Sequence, residues 1–519
     1  MIDSQTIRHF FPYLQDTLTI QVKNPNPGKR RIATDNSASS QVSRPTLEAF
    51  LQAVFDYANV HRGQYKASQN TTRAYEMAHN VWANFINAQQ WNEIILVENT
   101  TEAINTIMGC LYEEFRDGDN VVISRLEHSS NHAPWTGLQS RLAAREHPVN
   151  VDVRFVNFGL RTGELDMDHL ARLVDKRTKI VSITGASNFL GIKPDITKIA
   201  DIAHSTRYTH PNGKKGSYFL VDGAQLVPST AVDVQRIGCD FFVWSAHKMT
   251  MPIGIGGLYG RRDIMESLTP MMYGGGAFLD VKENEMKFRE APWKFTAGTS
   301  NLIGTIASAE GVMFLVNLGL GNIVRQDEIV TKVRVEAVGK QIVTQKLLNT
   351  PRGNMPWKYE VPEKYTSEWT QYQAIHPELR KTFDPKYRMQ NVRAAVNVAM
   401  NSIGRYVTDL TQQAINGLLE IPGVTVYGPR DASKRTSLVA FTVKGMSSPE
   451  VGENLDRIAG VETRCGHHCA YLAHDAYGIK YNGGTVRLSF YVYNTSEEIN
   501  TALATIRKIS RRAGNYRAK

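Results

Sequence analysis

Two stretches of this chain concentrate residue types that do chemistry. In "ETRCGHHCAYLAH", Glu462 to His474, two cysteines and two histidines fall between Cys465 and Cys469. The C-x3-C spacing lies within the range zinc ligands use, and imidazoles are good ligands. Yet side chains so crowded along the chain do not readily surround one ion. Cys110 and Cys239 sit in separate contexts and offer no matching half-site, so no metal is expected. The other chemistry is a single reactive thiol, Cys469. A free thiol has a pKa near 8.5 and needs cationic neighbours to ionise at neutral pH. His468 and Arg464 are close enough in sequence to act. Cys465 is read as incidental, or as a resolving thiol if geometry allows.

The second stretch lies upstream. "SYFLVDGAQLVPS" carries an apolar run into Asp222, followed by Gly223, Ala224 and Gln225, and "CDFFVWSAHKMTMP" carries another into Ser245, Ala246, His247 and Lys248. A carboxylate ending an apolar strand is costly unless paired. A lysine at the mouth of a sheet can be desolvated, which lowers its pKa and makes it nucleophilic. Together they supply an amine for a Schiff base and an acid to hold a pyridinium nitrogen, the pair that pyridoxal phosphate enzymes require. The bland alternative is a strand-end salt bridge. Asn99, Thr100, Thr101 and Glu102, in "VENTTEAINT", open a helix whose N–H groups and hydroxyls suit a phosphate, while also reading as an ordinary capping box. His128 in "SRLEHSSNHAPW" can stack on a flat ring, and Asn188 in "ASNFLGIKP" can donate to a phenolic oxygen.

The elements that must position these residues are legible between about Trp91 and Gly260. "EIILVE", "NVVISR", "VDVRFVNF", "TKIVSITG", "SYFLVDGA", "DFFVWSA" and "GGLYG" are short apolar, β-rich runs, and pieces such as "DITKIADIAHSTR" between them have helical spacing. That alternation predicts a three-layer α/β domain with a mostly parallel sheet, whose ligands bind at the carboxyl ends of the strands. A long helix is expected near 322–348. The proline- and aromatic-rich segment from about Leu347 to Gln390 then reads as an ordered surface excursion. Beyond Asn391 a helix and the strands "VTVYGP", "TSLVAFTV" and "TVRLSFY" predict a smaller α+β domain.

These runs resemble the class V aminotransferase superfamily of pyridoxal phosphate enzymes, and within it the cysteine desulfurase and selenocysteine lyase group. "DGAQLVPSTAVDVQRIGCDFFVWSAHK" carries most of the likeness, with "NTTEAIN", "SNFLGI", "KFTAGTSN" and "GHHCA". The resemblance implies a fold type I architecture: residues 1–30 packing with the small domain, a large cofactor-binding domain at 31–325, a connecting helix and insertion at 326–390, and a small domain at 391–519. It implies that Lys248 carries pyridoxal phosphate, Asp222 pairs with the pyridine nitrogen and His128 stacks on the ring. Gln225 and Asn188 would bond its phenolic oxygen, with Thr100, Thr101, Ser245 and His247 at the phosphate. Thr299 would reach the neighbouring subunit's cofactor in a homodimer. Arg487, a planar fork, would grip the substrate carboxylate. Cys469 would take sulfur from L-cysteine as a persulfide, releasing L-alanine and passing the sulfur to an acceptor protein. Selenocysteine is a further possible substrate. The rival within the superfamily is an aminotransferase, epimerase or carbon–sulfur lyase on a larger amino acid.

The chain departs from the pattern at three places. "YLAHDAYGIKYNGG" after the cysteine differs, Ser129 replaces the second histidine after Glu-His, and the 347–390 excursion has no counterpart. Bulk properties agree with a globular enzyme: 519 residues, 42% hydrophobic and 21% charged. Four cysteines fit a reducing compartment, and cytoplasmic placement is expected. The first residues lack a leader pattern, and no apolar run of about 18 residues stands out, so no membrane span is expected. The net charge of +10 is modest for this length, and the basic "RKISRRAGNYRAK" reads as a solvated helix end, with no nucleic acid expected.

Overall fold

A computed structural model describes residues 7–14, 31–320 and 388–516. The expected helix at 322–348 and nearly all of the 347–390 excursion lie outside the described residues.

The seven apolar runs form one sheet. They are β1 (Ile94–Val97), β2 (Asn120–Ser124), β3 (Asp152–Val156), β4 (Thr178–Thr184), β5 (Tyr218–Asp222), β6 (Phe241–Ser245) and β7 (Gly256–Gly260), in the spatial order β1-β7-β6-β5-β4-β2-β3. Only β7 runs against its neighbours. The period-2 pleat explains the three layers. Phe219 and Val221 join one hydrophobic cluster, while Tyr218 and Leu220 join the cluster on the other face. Both faces are covered by helices, so every β5 and β6 residue is buried.

The C-terminal region builds a four-stranded antiparallel sheet from β8 (Val424–Tyr427), β9 (Leu438–Val443), β10 (Arg464–Gly466) and β11 (Thr485–Ser489), ordered β8-β9-β11-β10. The short edge strand β10, the "RCG" of the cysteine stretch, was not legible in the sequence. Three residues give no alternating pattern to read. Helices Ser448–Ala459 and Ser496–Tyr516 flank this sheet, and Arg388–Leu419 leads into it. Ile32 and Ala33 pair in parallel with Val461 and Glu462, and Ile32 is buried in this domain's core. From the first residues, Phe11 packs its ring 4.5 Å from Tyr493, and Arg8 bonds Glu498 at 2.5 Å.

Leu302–Leu320 is the most apolar long helix among the described residues. Its 19 residues are long and apolar enough, at a mean hydropathy of 1.5, to cross a membrane by composition alone. Here it is a core helix, packed against Arg44–Asp56, Lys66–Ile86 and Arg388–Leu419. Glycine, serine and threonine among its residues kept it from standing out as an unbroken apolar run.

Candidate active site

All the parallel strands end at the same edge of the large sheet, and the residues just beyond those ends converge there. β5 delivers Asp222, and β6 delivers Ser245 and then a single turn carrying His247 and Lys248. β4 ends in Thr184, and the loop after it brings Asn188. The loop after β2 brings His128 as the cap of helix Ser129–Ala143, and β1 leads to Asn99 and helix Thr100–Leu111. The small domain closes the other side with Arg464, His468, Cys469 and Arg487. The cavity between them measures about 400 Å³. Every residue that the resemblance assigns to catalysis, cofactor or substrate lines it except Thr299, which is exposed and lies outside it. Sequence reasoning missed Ser37 and Ala38, which enter from the loop after Ile32–Ala33, and also Ser130, Thr184 and Ala186. No local signal marks them; only the folded topology brings them in.

The electrostatics are set by burial. Asp222 is 4% exposed, and Oδ1 accepts one hydrogen bond from Ala224 N at 3.0 Å. Burial pushes its carboxyl above the ordinary range, against the pull of that bond and of Lys248. The Lys248 amine is lowered to about 8, chiefly by burial, with Asp222 opposing and Arg487 adding. His128 is lowered to about 4 by burial and by the positive charges of Lys248 and Arg487. Its Nδ1 accepts from Ser130 N at 3.1 Å, which fixes the neutral tautomer with the proton on Nε2.

The helix at Thr100 starts as the sequence implied. Asn99 Oδ1 accepts from Glu102 N at 3.0 Å, and Ser245 Oγ accepts from Thr100 N at 2.9 Å. The reciprocal half of the box reaches one residue further, with Glu102 accepting from Glu98 N. Thr101 Oγ1 lies 2.7 Å from Ser130 Oγ, and His247 Nδ1 lies 3.3 Å from Ser39 Oγ. The two amides are partly engaged: Gln225 Nε2 donates to Ser37 O at 2.6 Å, and Asn188 Nδ2 donates to His468 O at 2.5 Å. Each keeps a second N–H, and the Asn188 Oδ1 is buried without a partner.

Arg487 is 2% exposed; its Nη1 donates to Asn188 O at 2.9 Å, and burial lowers it to about 10. Its buried Nε has no partner in the protein, so the guanidinium retains donor capacity inside the cavity. Cys469 is exposed, whereas Cys465 is half-buried. Cys465 packs against the helix Ser448–Ala459 at Gly452, on the opposite face of β10 from Arg464. That orientation turns the Cys465 thiol away from the cavity that Cys469 lines. The four side chains considered for a metal also diverge: His467 bonds Lys480 O, and His468 Nε2 lies 2.9 Å from Thr485 Oγ1.

The family profile described as aminotransferase class V matches residues 32–350 and 389–501. The chain belongs to the class V aminotransferase family. Among relatives, a cysteine desulfurase of Haloferax volcanii is 28% identical over 512 residues, covering 97% of this chain and 96% of the relative. A probable cysteine desulfurase of Synechocystis is 30% identical over 512 residues, covering 97% and 96%. The apo structure of a cysteine desulfurase from Thermococcus onnurineus aligns with a TM-score of 0.70 at 27% identity, over 93% of this chain and 95% of that one. Class V aminotransferases are pyridoxal phosphate enzymes of fold type I, and the α/β fold with its mostly parallel sheet agrees. The residues present fit that cofactor. A buried carboxylate with a single hydrogen bond faces a cavity that also holds a desolvated amine, a neutral imidazole and a hydroxyl-rich helix start.

Proposed function

We propose that this chain is a cysteine desulfurase, converting L-cysteine to L-alanine and keeping the sulfur as a persulfide on Cys469. The observation that carries the reading is the position of Cys469: an exposed thiol on the wall of the cavity that also holds Lys248, Asp222 and Arg487. An aminotransferase needs no thiol there.

Pyridoxal phosphate, when bound, supplies an aldehyde for amines and an electron sink for the carbon next to them. Lys248 would hold it, since a desolvated amine is neutral over more of the working range and bonds readily to an aldehyde. Asp222 would keep the ring nitrogen protonated, His128 would lie on the ring face, and Asn188 and Gln225 would offer their second N–H to its phenolic oxygen. Thr100, Thr101, Ser245 and His247 would take the phosphate.

Arg487 would bind the substrate carboxylate with the donors left over from Asn188 O. The freed Lys248 amine would accept the substrate's α-proton and return a proton at the end. Cys469 would attack the substrate sulfur as a thiolate: a sulfur–sulfur bond forms, the carbon–sulfur bond breaks, and its electron pair stays with the carbon fragment. Protonation of that fragment gives alanine, so no external oxidant or reductant is needed.

The exposed thiol leaves the persulfide open to a sulfur-acceptor protein, and the chemistry suits the cytoplasm. A homodimer is part of the proposal, with the exposed Thr299 reaching the neighbouring site. Exposed apolar side chains such as Met272, Tyr273, Leu279 and Val281 support a surface covered in an assembly. The test is Cys469→Ala. The variant should keep the yellow chromophore and lose alanine formation from L-cysteine; undiminished turnover would reject the desulfurase in favour of another class V activity.

A further inference from the structure

Ser129 was singled out as a departure from the family stretch, and it has no part in the chemistry derived so far. We infer that Ser129 is a positioning residue that orients the Cys469 thiol by holding the Cys469 carbonyl; this rests on the desulfurase reading. Its backbone N donates to Cys469 O at 2.8 Å, and its hydroxyl donates to the same oxygen at 2.9 Å. Two donors occupy both lone pairs of that carbonyl. The preceding carbonyl, His468 O, is held by Asn188 Nδ2. Two consecutive peptide oxygens at the nucleophile are thus gripped by a helix start and a loop of the large domain, although the cysteine stretch belongs to the small one.

The grip is needed because of the backbone. His468 has φ 52° and Cys469 has φ 58°. The left-handed region is unfavourable for residues with a Cβ, and two in succession persist only where outside contacts impose them. On the far side the loop is held by its ring. His474 Nδ1 faces Ala470 O at 2.9 Å and must donate, so its Nε2 accepts from the Thr485 hydroxyl at 3.1 Å. Thr485 Oγ1 is then left to accept from His468 Nε2. His474 lies in the "YLAHDAYGIKY" segment that also departs from the pattern. Ser129 on one side and Thr485 on the other fix the peptide whose orientation aims the thiol. The main-chain donor is available to any residue at 129 other than proline. The hydroxyl donor is what serine adds.

The test uses the cofactor-loaded enzyme with Ser129→Ala and Ser129→Thr. Three quantities are read: kcat and KM for alanine formation from L-cysteine, the rate of Cys469 alkylation by iodoacetamide located by mass spectrometry, and the exchange of the α-proton of L-alanine in deuterium oxide. The last depends on Lys248 and Asp222 but not on the thiol. Ser129→Ala should lower kcat about fivefold to tenfold, what losing one such hydrogen bond is worth, with KM unchanged. It should alter the alkylation rate by a similar factor and leave α-proton exchange within about twofold. Ser129→Thr, which keeps the hydroxyl, should restore kcat. Unchanged kcat and alkylation in Ser129→Ala, a parallel fall of exchange and desulfuration, or no rescue by threonine would overturn the inference. Cys469→Ala is run alongside. If that variant still forms alanine, the desulfurase reading itself fails; if it is dead while Ser129→Ala is unaffected, only the role of Ser129 falls.

Discussion

Arg464 and Arg487 stand directly opposite each other across the antiparallel pair β10–β11, and one carboxylate, Asp35, serves both. Asp35 lies 2.8 Å from Arg464 Nη2 and 3.5 Å from Arg487 Nη2. Like charges opposed on a ladder repel. The nearer contact goes to Arg464, so Arg487 stays the less neutralised cation in the cavity, suited to a carboxylate from outside.

Arg487→Lys should therefore act on binding before chemistry. The lysine keeps a charge but loses the planar fork, and with it one charge-assisted hydrogen bond worth about 2 kcal/mol. The expected result is a KM for L-cysteine raised roughly 30-fold with a smaller change in kcat, read from steady-state alanine formation.

The lowered Lys248 pKa sets a pH dependence for cofactor capture. Only the neutral amine adds to an aldehyde. With a midpoint near 8 instead of the ordinary 10.5, roughly one amine in ten is neutral at pH 7. The rate at which apoprotein takes up pyridoxal phosphate should rise with pH up to about 8 and level off above it, followed by absorbance. A rate still climbing steeply well above that midpoint would show an amine that is not desolvated. Lys248→Ala should give no band that borohydride fixes to the chain.

Gly223 tests how tightly the Asp222 strand end is held. A Cβ there would come within 2.2 Å of the Phe242 ring and 2.9 Å of Val243 O. Backbone cannot yield cheaply, so Gly223→Ala should push Asp222 out of register. The expected cost is about 1–3 kcal/mol in urea unfolding, with weakened cofactor retention measured by dialysis.

The sheet was legible because fully buried strands carry unbroken apolar runs, and Asp222 and Lys248 stood out because charges are rare at the ends of such runs. The cysteine loop was legible only in part. Its residue types named a thiol, but the left-handed turn at His468 and Cys469 leaves no mark in residues that carry a Cβ. Ser129 was visible as an oddity without a reason, since its partner is 340 residues away. Asp35 drew no notice at all, because an exposed-looking aspartate in "IATDNSASS" gains meaning only when the small domain closes over it. Arg464 entered as a neighbour of the thiol; its pairing with Asp35 across the fold was invisible.

Glu127, one residue before His128, gives the last test. Its carboxylate is 3% exposed and accepts from Ser124 Oγ at 2.5 Å, Asn131 Nδ2 at 2.7 Å and Thr184 N at 3.0 Å. Thr184 is the ladder partner of Asp222, so a second buried acid stands behind the first. Burial outweighs the three donors and, with Asp222 nearby, raises Glu127 to about 8. The sign follows from proton uptake. Between the ordinary 4.5 and about 8 the folded protein binds a proton that the unfolded chain has released, so this group's contribution to stability falls as pH rises through that window. Glu127→Gln removes the titration while keeping an oxygen for Ser124 and Thr184. The Tm of the wild-type apoprotein should fall across that window more than the Tm of the variant, by scanning calorimetry. Parallel curves would mean the carboxyl is already ionised at the low end, held there by its donors.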